Sequence, residues 1–226
     1  MSPGVIFDER VRVPFIASLA EFRQWASSAE FPESGRIDYL DGQIEVDMSP
    51  EDIFFHATLK TCVAAAIFSR VEELASGHVC TDRTRVSCVE ADLSVEPDIV
   101  YISDRAIDTG RVRLIPKAGE EPDRFIEIEG GPDLVVEIVS DSSVAKDTLR
   151  LPAAYLAAGV KELWLIDARG KAPAFQILSI VRGKYAENKP DERGYRRSPV
   201  LRCVFRLERK RNRRGRYVYK LGERVK

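Results

Sequence analysis

Two carboxylates lie in stretches of this chain where a carboxylate is costly. Glu137 sits inside Leu134-Val-Val-Glu-Ile-Val139. A strand period of two places it on one face with Val135 and Val139, while Leu134, Val136 and Ile138 fill the other. An uncompensated carboxylate there costs several kcal/mol, so it must be ion-paired, protonated or bound to a metal. One solution is a buried salt bridge to a helix Lys or Arg; the other is a divalent cation. Asp98, directly after Pro97 and opening Asp98-Ile-Val-Tyr-Ile, poses the same choice. It is either a strand-end residue bonded to backbone amides or a second ligand. If neighbouring strands carry both acids to one end of a sheet, the two hard oxygen donors suit Mg²⁺ or Mn²⁺. Such an ion activates water and stabilises a phosphodiester transition state. Lys146, nine residues after Glu137, and Arg150, four further along the same helix face, are the candidate cations that would neutralise charge or orient water. The alternative for this pair is a solvated helix face.

The elements that must position these groups are legible around them. Ser18-Leu-Ala-Glu21 is a capping box opening a short helix through Phe22 and Trp25. Two alternating stretches, 36–40 and 43–47, flank Asp41-Gly42, a strong hairpin signal. Ser49-Pro50-Glu51-Asp52 supplies an N-cap, a proline and early acids for a long amphipathic helix that runs to about Leu74 and is closed by Gly77. Strands are expected over 84–89 and 97–102, then a polar insertion over 103–131 that ends in a short strand at Phe125. The buried strand of Glu137 follows. A second helix, capped by Ser142 or Ser143 and disturbed by Pro152, runs to Ala158. Glu162-Leu-Trp-Leu-Ile-Asp167 is a further buried strand, and the helix between two such strands predicts a right-handed crossover with parallel pairing. Alternating stretches at 174–181, 197–207 and 216–221, with a turn near 212–215, complete one α/β domain around one mixed sheet.

Composition narrows the class. The 226 residues are 44% hydrophobic with a net charge of −1, which allows a packed core and excludes wholesale disorder. The charge is unevenly placed: residues 192–226 hold 14 lysines and arginines against three glutamates, a surplus of +11. An acidic body with a basic C-terminus bears on polyanion binding, because ligands feel local fields. No apolar run reaches membrane-spanning length, and residues 1–16 lack the charged-then-apolar order of a secretory signal. Cys62, Cys80, Cys88 and Cys203 form no CxxC pair and read as reduced, mostly buried thiols of a cytoplasmic protein.

Together, Tyr39-Leu-Asp-Gly-Gln-Ile-Glu, Pro97-Asp98, Val135-Val-Glu137-Ile-Val-Ser140, Asp147 with Tyr155, Ala158-Gly-Val-Lys-Glu-Leu-Trp164-Leu-Ile-Asp167 and Ser198-Pro-Val-Leu resemble, in that order, the Uma-type restriction endonuclease family of the PD-(D/E)xK nuclease superfamily. The resemblance covers Pro14 to Leu207 and implies a restriction-endonuclease-like αβββαβ core, a divalent metal and DNA cleavage. It also implies a homodimer, since cutting both strands needs two sites. By position, Asp98 and Glu137 match the acids of the motif, Asp38 stands where relatives place a Glu before the hairpin, and His56 matches a frequent helix histidine. Asp38 is thereby an auxiliary ligand for metal or water, or else a hairpin edge residue. The motif's lysine would fall at Val139, and the lysine that relatives carry on the next helix would fall at Leu151, so Lys146 or Arg150 must stand in.

The expected activity is Mg²⁺- or Mn²⁺-dependent DNA endonuclease; the alternative is a catalytically silent nucleic-acid-binding or assembly module on the same fold. The chain is expected to form a single domain over 1–226, with a nuclease-like region over 14–207 and a basic extension over 208–226. Arg209, Lys210, Arg211, Arg213, Arg214 and Arg216, interleaved with aromatics, are candidate phosphate contacts. They serve equally as charges that keep an edge strand from aggregating.

Overall fold

A computed structural model describes residues 13–32, 34–117 and 123–225. The N-terminal stretch in which no secretory signal is read lies mostly outside these residues.

Helix α1 (Leu19–Ala26) is capped by Ser18, whose hydroxyl accepts the Glu21 amide as the capping box requires. Strands β1 (Arg36–Leu40) and β2 (Gln43–Asp47) form the expected hairpin. Its two turn residues, Asp41 and Gly42, both have positive φ (52° and 72°), the conformation a two-residue turn needs. The long helix begins three residues later than its sequence suggests. Asp52, not Ser49, is the cap, accepting the amides of Phe54 and Phe55 at 2.8 and 2.7 Å, while Ser49 bonds to Asp47. A π-helical turn, Ile53–Ala57, leads into α2 (Thr58–Leu74). The left-handed residue closing α2 is Ala75 (φ 45°) rather than Gly77. Gly77 serves another purpose, because a Cβ there would lie 2.1 Å from the Ile102 carbonyl oxygen.

Short strands follow: β3 (Gly77–Thr81), β4 (Arg85–Cys88) within the stretch expected at 84–89, and β5 (Leu93–Val95), then β6 (Ile99–Ser103). The polar insertion contains α3 (Asp104–Asp108) and β7 (Val112–Pro116) before β8 (Phe125–Gly130) and β9 (Leu134–Ile138). A second π-helical turn, Lys146–Arg150, opens α4 (Leu151–Ala157), where Pro152 falls in the first turn and is tolerated. Strands β10 (Glu162–Asp167), β11 (Ala174–Val181), β12 (Lys184–Glu187), β13 (Arg196–Ser198), β14 (Cys203–Arg211) and β15 (Tyr217–Arg224) complete the chain.

These strands build two six-stranded sheets, β2-β1-β5-β4-β8-β7 and β12-β11-β10-β9-β6-β3, and a three-stranded sheet β13-β14-β15, rather than one mixed sheet. Both large sheets mix parallel and antiparallel pairs. The crossover through α4 pairs β9 and β10 in parallel, as its sequence predicts. Leu134, Val136 and Ile138 of β9 join Leu59, Val63 and Ile67 of α2 and Phe205 of β14 in the largest core cluster. The opposite face of β9 packs Val135 against Leu151 and Tyr155 of α4 and Leu40 of β1. Glu137 is on this second face, between the two large sheets. The four cysteines are free thiols, and no helix among the described residues is long and apolar enough to cross a membrane.

Candidate active site

Three strands deliver carboxylates to one place. Strands β6 and β9 run antiparallel with Ile99 opposite Val136, so Asp98, one residue before β6, comes level with Glu137. The Asp98 Oδ2 accepts the Ile138 amide at 2.7 Å, tying the loop end to β9. The third acid, Asp38, comes from β1. Alternation there sends Ile37 and Tyr39 towards α1 and turns Arg36, Asp38 and Leu40 towards the second sheet. Asp38 is no hairpin edge residue: β1 is flanked by β2 and β5, Asp38 is fully buried, and its Oδ1 accepts the Glu96 amide at 2.9 Å.

The group joining the three acids is Arg36. Its Nε lies 3.1 Å from Asp38 Oδ2, its Nη2 3.4 Å from Glu137 Oε2 and its Nη1 3.9 Å from Asp98 Oδ1. The ion pair that is one of the two solutions for Glu137 is present, but its partner comes from a strand 101 residues away rather than from a helix. Lys146 and Arg150 stand nearby. Lys146 bonds to Asp38 Oδ2 and lies 3.9 Å from Glu45 Oε2, and Arg150 pairs with Glu45. Lys146 thus points into the carboxylate site through Asp38, while Arg150 is held one strand further out, by Glu45 of β2 opposite Asp38.

The electrostatics differ among the acids. Burial works against the charge of Asp98, but His56, Arg36 and the Ile138 amide together hold its pKa below the usual carboxylate range. Burial is likewise outweighed at Asp38 by Arg36 and Lys146. At Glu137 burial wins: with Asp98 and Asp147 repelling its charge, Arg36 and the Tyr155 hydroxyl leave it raised to about 8. The buried Asp147, bonded to the Ser143 hydroxyl, is raised to about 6. His56 reaches Asp98 Oδ2 at 3.5 Å through Nε2, and its Nδ1 lies 3.6 Å from Glu51. Burial lowers the imidazole pKa, but the Asp98 carboxylate more than compensates and raises it.

Arg36, His56, Asp98 and Lys146 line a cleft of about 1050 Å³, and Asp38 and Glu137 lie buried behind Arg36. Its walls carry Glu45, Asp47, Glu51 and Glu96 against Arg83, Lys146 and Arg169. Three carboxylates around one positive centre are a hard-oxygen donor set that fits Mg²⁺ or Mn²⁺ by chemistry. As they stand, they are spread around a guanidinium: no three acids, histidines or cysteines among the described residues are close enough to enclose an ion.

The basic β14–β15 hairpin meets the cleft through Phe55. The Phe55 ring stacks edge-on with Tyr217 at 5.4 Å, and Arg209 lies over both rings. Arg209 also donates to the carbonyls of Gly170 and Lys171 at 2.6 and 2.7 Å, and Arg211 stacks on Tyr217 while donating to its hydroxyl. Lys210 pairs with Glu208, and Arg213, Arg214 and Arg216 are exposed at the hairpin turn.

Sequence reasoning missed Arg36. Its one signal was the Arg-x-Asp spacing, which puts Arg36 and Asp38 on one strand face.

The arrangement of sheets and helices is that of a nuclease-type α/β fold. A crystal structure described as "a putative nuclease belonging to DUF820 from Anabaena variabilis" is similar to it, with a TM-score of 0.56 and 19% identity over 81% of this chain and 90% of that one. The family model "Uma2: Putative restriction endonuclease" matches residues 19–208, and the chain belongs to that family. Comparison with curated proteins gives no match.

Proposed function

We propose that this protein is a divalent-metal-dependent DNA endonuclease that hydrolyses phosphodiester bonds in the cleft. The observation that carries the reading is the convergence of Asp38, Asp98 and Glu137 from separate elements around Arg36, which lines the cleft with Asp98, while Lys146 is directed at Asp38. Asp98 and Glu137 would hold the ion, Mg²⁺ or Mn²⁺, with Asp38 as auxiliary ligand. Bound there, the ion supplies Lewis-acid stabilisation of the phosphodiester and a more acidic water. The chain's own groups do the rest. Lys146 keeps Asp38 ionised and presents a positive charge where negative charge develops on the phosphate. Arg150, held by Glu45 of the cleft wall, would reinforce that charge from behind it. Tyr155, through its hydroxyl, fixes one Glu137 oxygen and leaves the other facing Arg36.

Arg213, Arg214, Arg216 and Lys210 would contact backbone phosphates without reading sequence, as exposed basic side chains beside a cleft do. Arg209 and Arg211 would keep the hairpin docked on Phe55. Two copies acting together would cut both strands.

Supercoiled plasmid incubated with the protein and Mg²⁺ or Mn²⁺ tests the reading. Nicked and linear products are expected, absent in EDTA and absent for Asp98→Ala and Glu137→Ala. Cleavage that survives EDTA or both substitutions refutes it. Salt-sensitive DNA binding with no cleavage under any metal condition would instead support the silent binding module. The lysine slot filled by Val139 and the guanidinium among the acids favour that outcome.

A further inference from the structure

Arg36 lies where a cation is wanted. A guanidinium in contact with three carboxylates satisfies the same charge demand that a divalent ion would, and both cannot sit at the centre of the same oxygens. We propose that Arg36 is an internal counter-ion that competes with the divalent cation for Asp38, Asp98 and Glu137, so that loading requires its guanidinium to swing out into the cleft. The inference rests on the metal reading above.

The local structure permits such a movement. Arg36 is the first residue of β1, preceded by Ser34 and Gly35, which line the cleft with it. Its side chain is 26% exposed, whereas those of Asp38, Asp98 and Glu137 are 1%, 5% and 1% exposed. The acids are fixed from behind, by the Glu96 amide, the Ile138 amide and the Tyr155 hydroxyl, and these bonds do not depend on Arg36. The three contacts of Arg36, at 3.1, 3.4 and 3.9 Å, are longer than the ~2.7–2.9 Å of a well-made charge-assisted bond. The guanidinium is therefore shared among the acids rather than clamped to one. Departure costs it these contacts, and a divalent ion returns more charge to the same oxygens. The device compensates Asp38 and Asp98 and, in part, Glu137 while the ion is absent, and makes the ion bind less tightly than the bare carboxylates would.

Titration calorimetry with Mn²⁺, in the absence of DNA, separates the outcomes. Arg36→Gln is expected to bind Mn²⁺ at least about tenfold more tightly than the unaltered protein, because a unit positive charge within 4 Å of the ligands is gone. Arg36→Lys should fall between the two. Wild-type protein labelled with ¹⁵N-arginine supplies a readout that needs no stable variant. The Arg36 Nε–H resonance, assigned by its loss in Arg36→Lys, should move towards solvent-exposed values as Mg²⁺ saturates. Mn²⁺ binding by the wild type with equal or weaker affinity in a folded Arg36→Gln, or an Nε–H signal unmoved at Mg²⁺ saturation, overturns the competition while leaving the metal site standing. Absence of Mn²⁺ binding in both proteins overturns the metal reading and this inference with it.

Discussion

Glu162 offers a measurement of how the protein's interior treats charge, away from the cleft. It opens β10 and is fully buried. Its Oε1 accepts from Trp164 Nε1 at 2.6 Å and from the Ser198 hydroxyl at 2.5 Å, and its Oε2 accepts from the Val200 amide at 3.2 Å. The carboxylate thus ties β10 to the turn between β13 and β14. Burial nevertheless outweighs these three donors and raises its pKa from 4.5 to about 7. Between those two values the folded state holds a proton that the unfolded state has released. The stabilisation from this group is therefore complete below about pH 4.5 and lost as pH rises through 7. A shift of this size corresponds to about 3 kcal/mol, undiminished by solvent because the group is buried. Glu162→Gln removes the titration. Its amide NH₂ must face the Val200 N–H, a loss of about 1–3 kcal/mol that does not vary with pH. Urea unfolding of both proteins at pH 5, 6, 7 and 8 should show the wild type more stable at pH 5. That advantage should shrink by about 2.5 kcal/mol between pH 5 and pH 8, part of the loss falling below pH 5, to the point of closing or reversing. A stability difference that stays constant within about 0.5 kcal/mol across this range refutes the reasoning, since it would mean that Glu162 keeps an ordinary pKa in its buried site.

Other expectations follow from particular contacts. Lys146→Met should lower the plasmid cleavage rate by about 10²–10³-fold while leaving DNA affinity within a few-fold, measured by single-turnover cleavage and by filter binding. The combined substitution Arg213→Ala, Arg214→Ala and Arg216→Ala should reduce the slope of log affinity against log salt by about 2–3; an unchanged slope would assign these residues to edge protection alone. Gly131→Ala should destabilise the fold by about 3 kcal/mol in urea unfolding, because the new Cβ would lie 2.3 Å from the Ala158 carbonyl oxygen and 2.7 Å from the Gly159 carbonyl carbon.

The elements with a local signature were legible in the sequence. Asp41-Gly42 specifies its own turn and hence β1 and β2, and the apolar run around Glu137 specifies a strand buried on both faces. The costly placement of Glu137 and Asp98 was legible for the same reason, since alternation alone reveals a carboxylate with no solvent to face. Partner choice was not. Strand β3 mixes half-buried with exposed residues, and β5 has only three residues, so neither carries a period that could be read. Which strands share a sheet depends on contacts between segments far apart in the chain, and a period of two says nothing about them. Arg36 was hidden by the same gap. Its pairing with Glu137 exists only because the first sheet packs against the second, and no spacing within the chain encodes that.

Both helices that reach the cleft open with a π-helical turn, and this has a consequence for insertions and deletions. The Ala57 amide reaches back five residues to the Asp52 carbonyl, and the Leu151 amide five residues to that of Lys146. Each turn thus holds one residue more than an α-turn would close. Deleting one residue from either turn would let the helix continue as α, with its buried face intact downstream. Everything upstream would be rotated by about 100° about the helix axis. A deletion on the C-terminal side of His56 or of Lys146 within its turn would then face that side chain away from Asp98 or Asp38. Substitution scans, which preserve residue count, are blind to this; a shortened π-turn isolates orientation from side-chain identity.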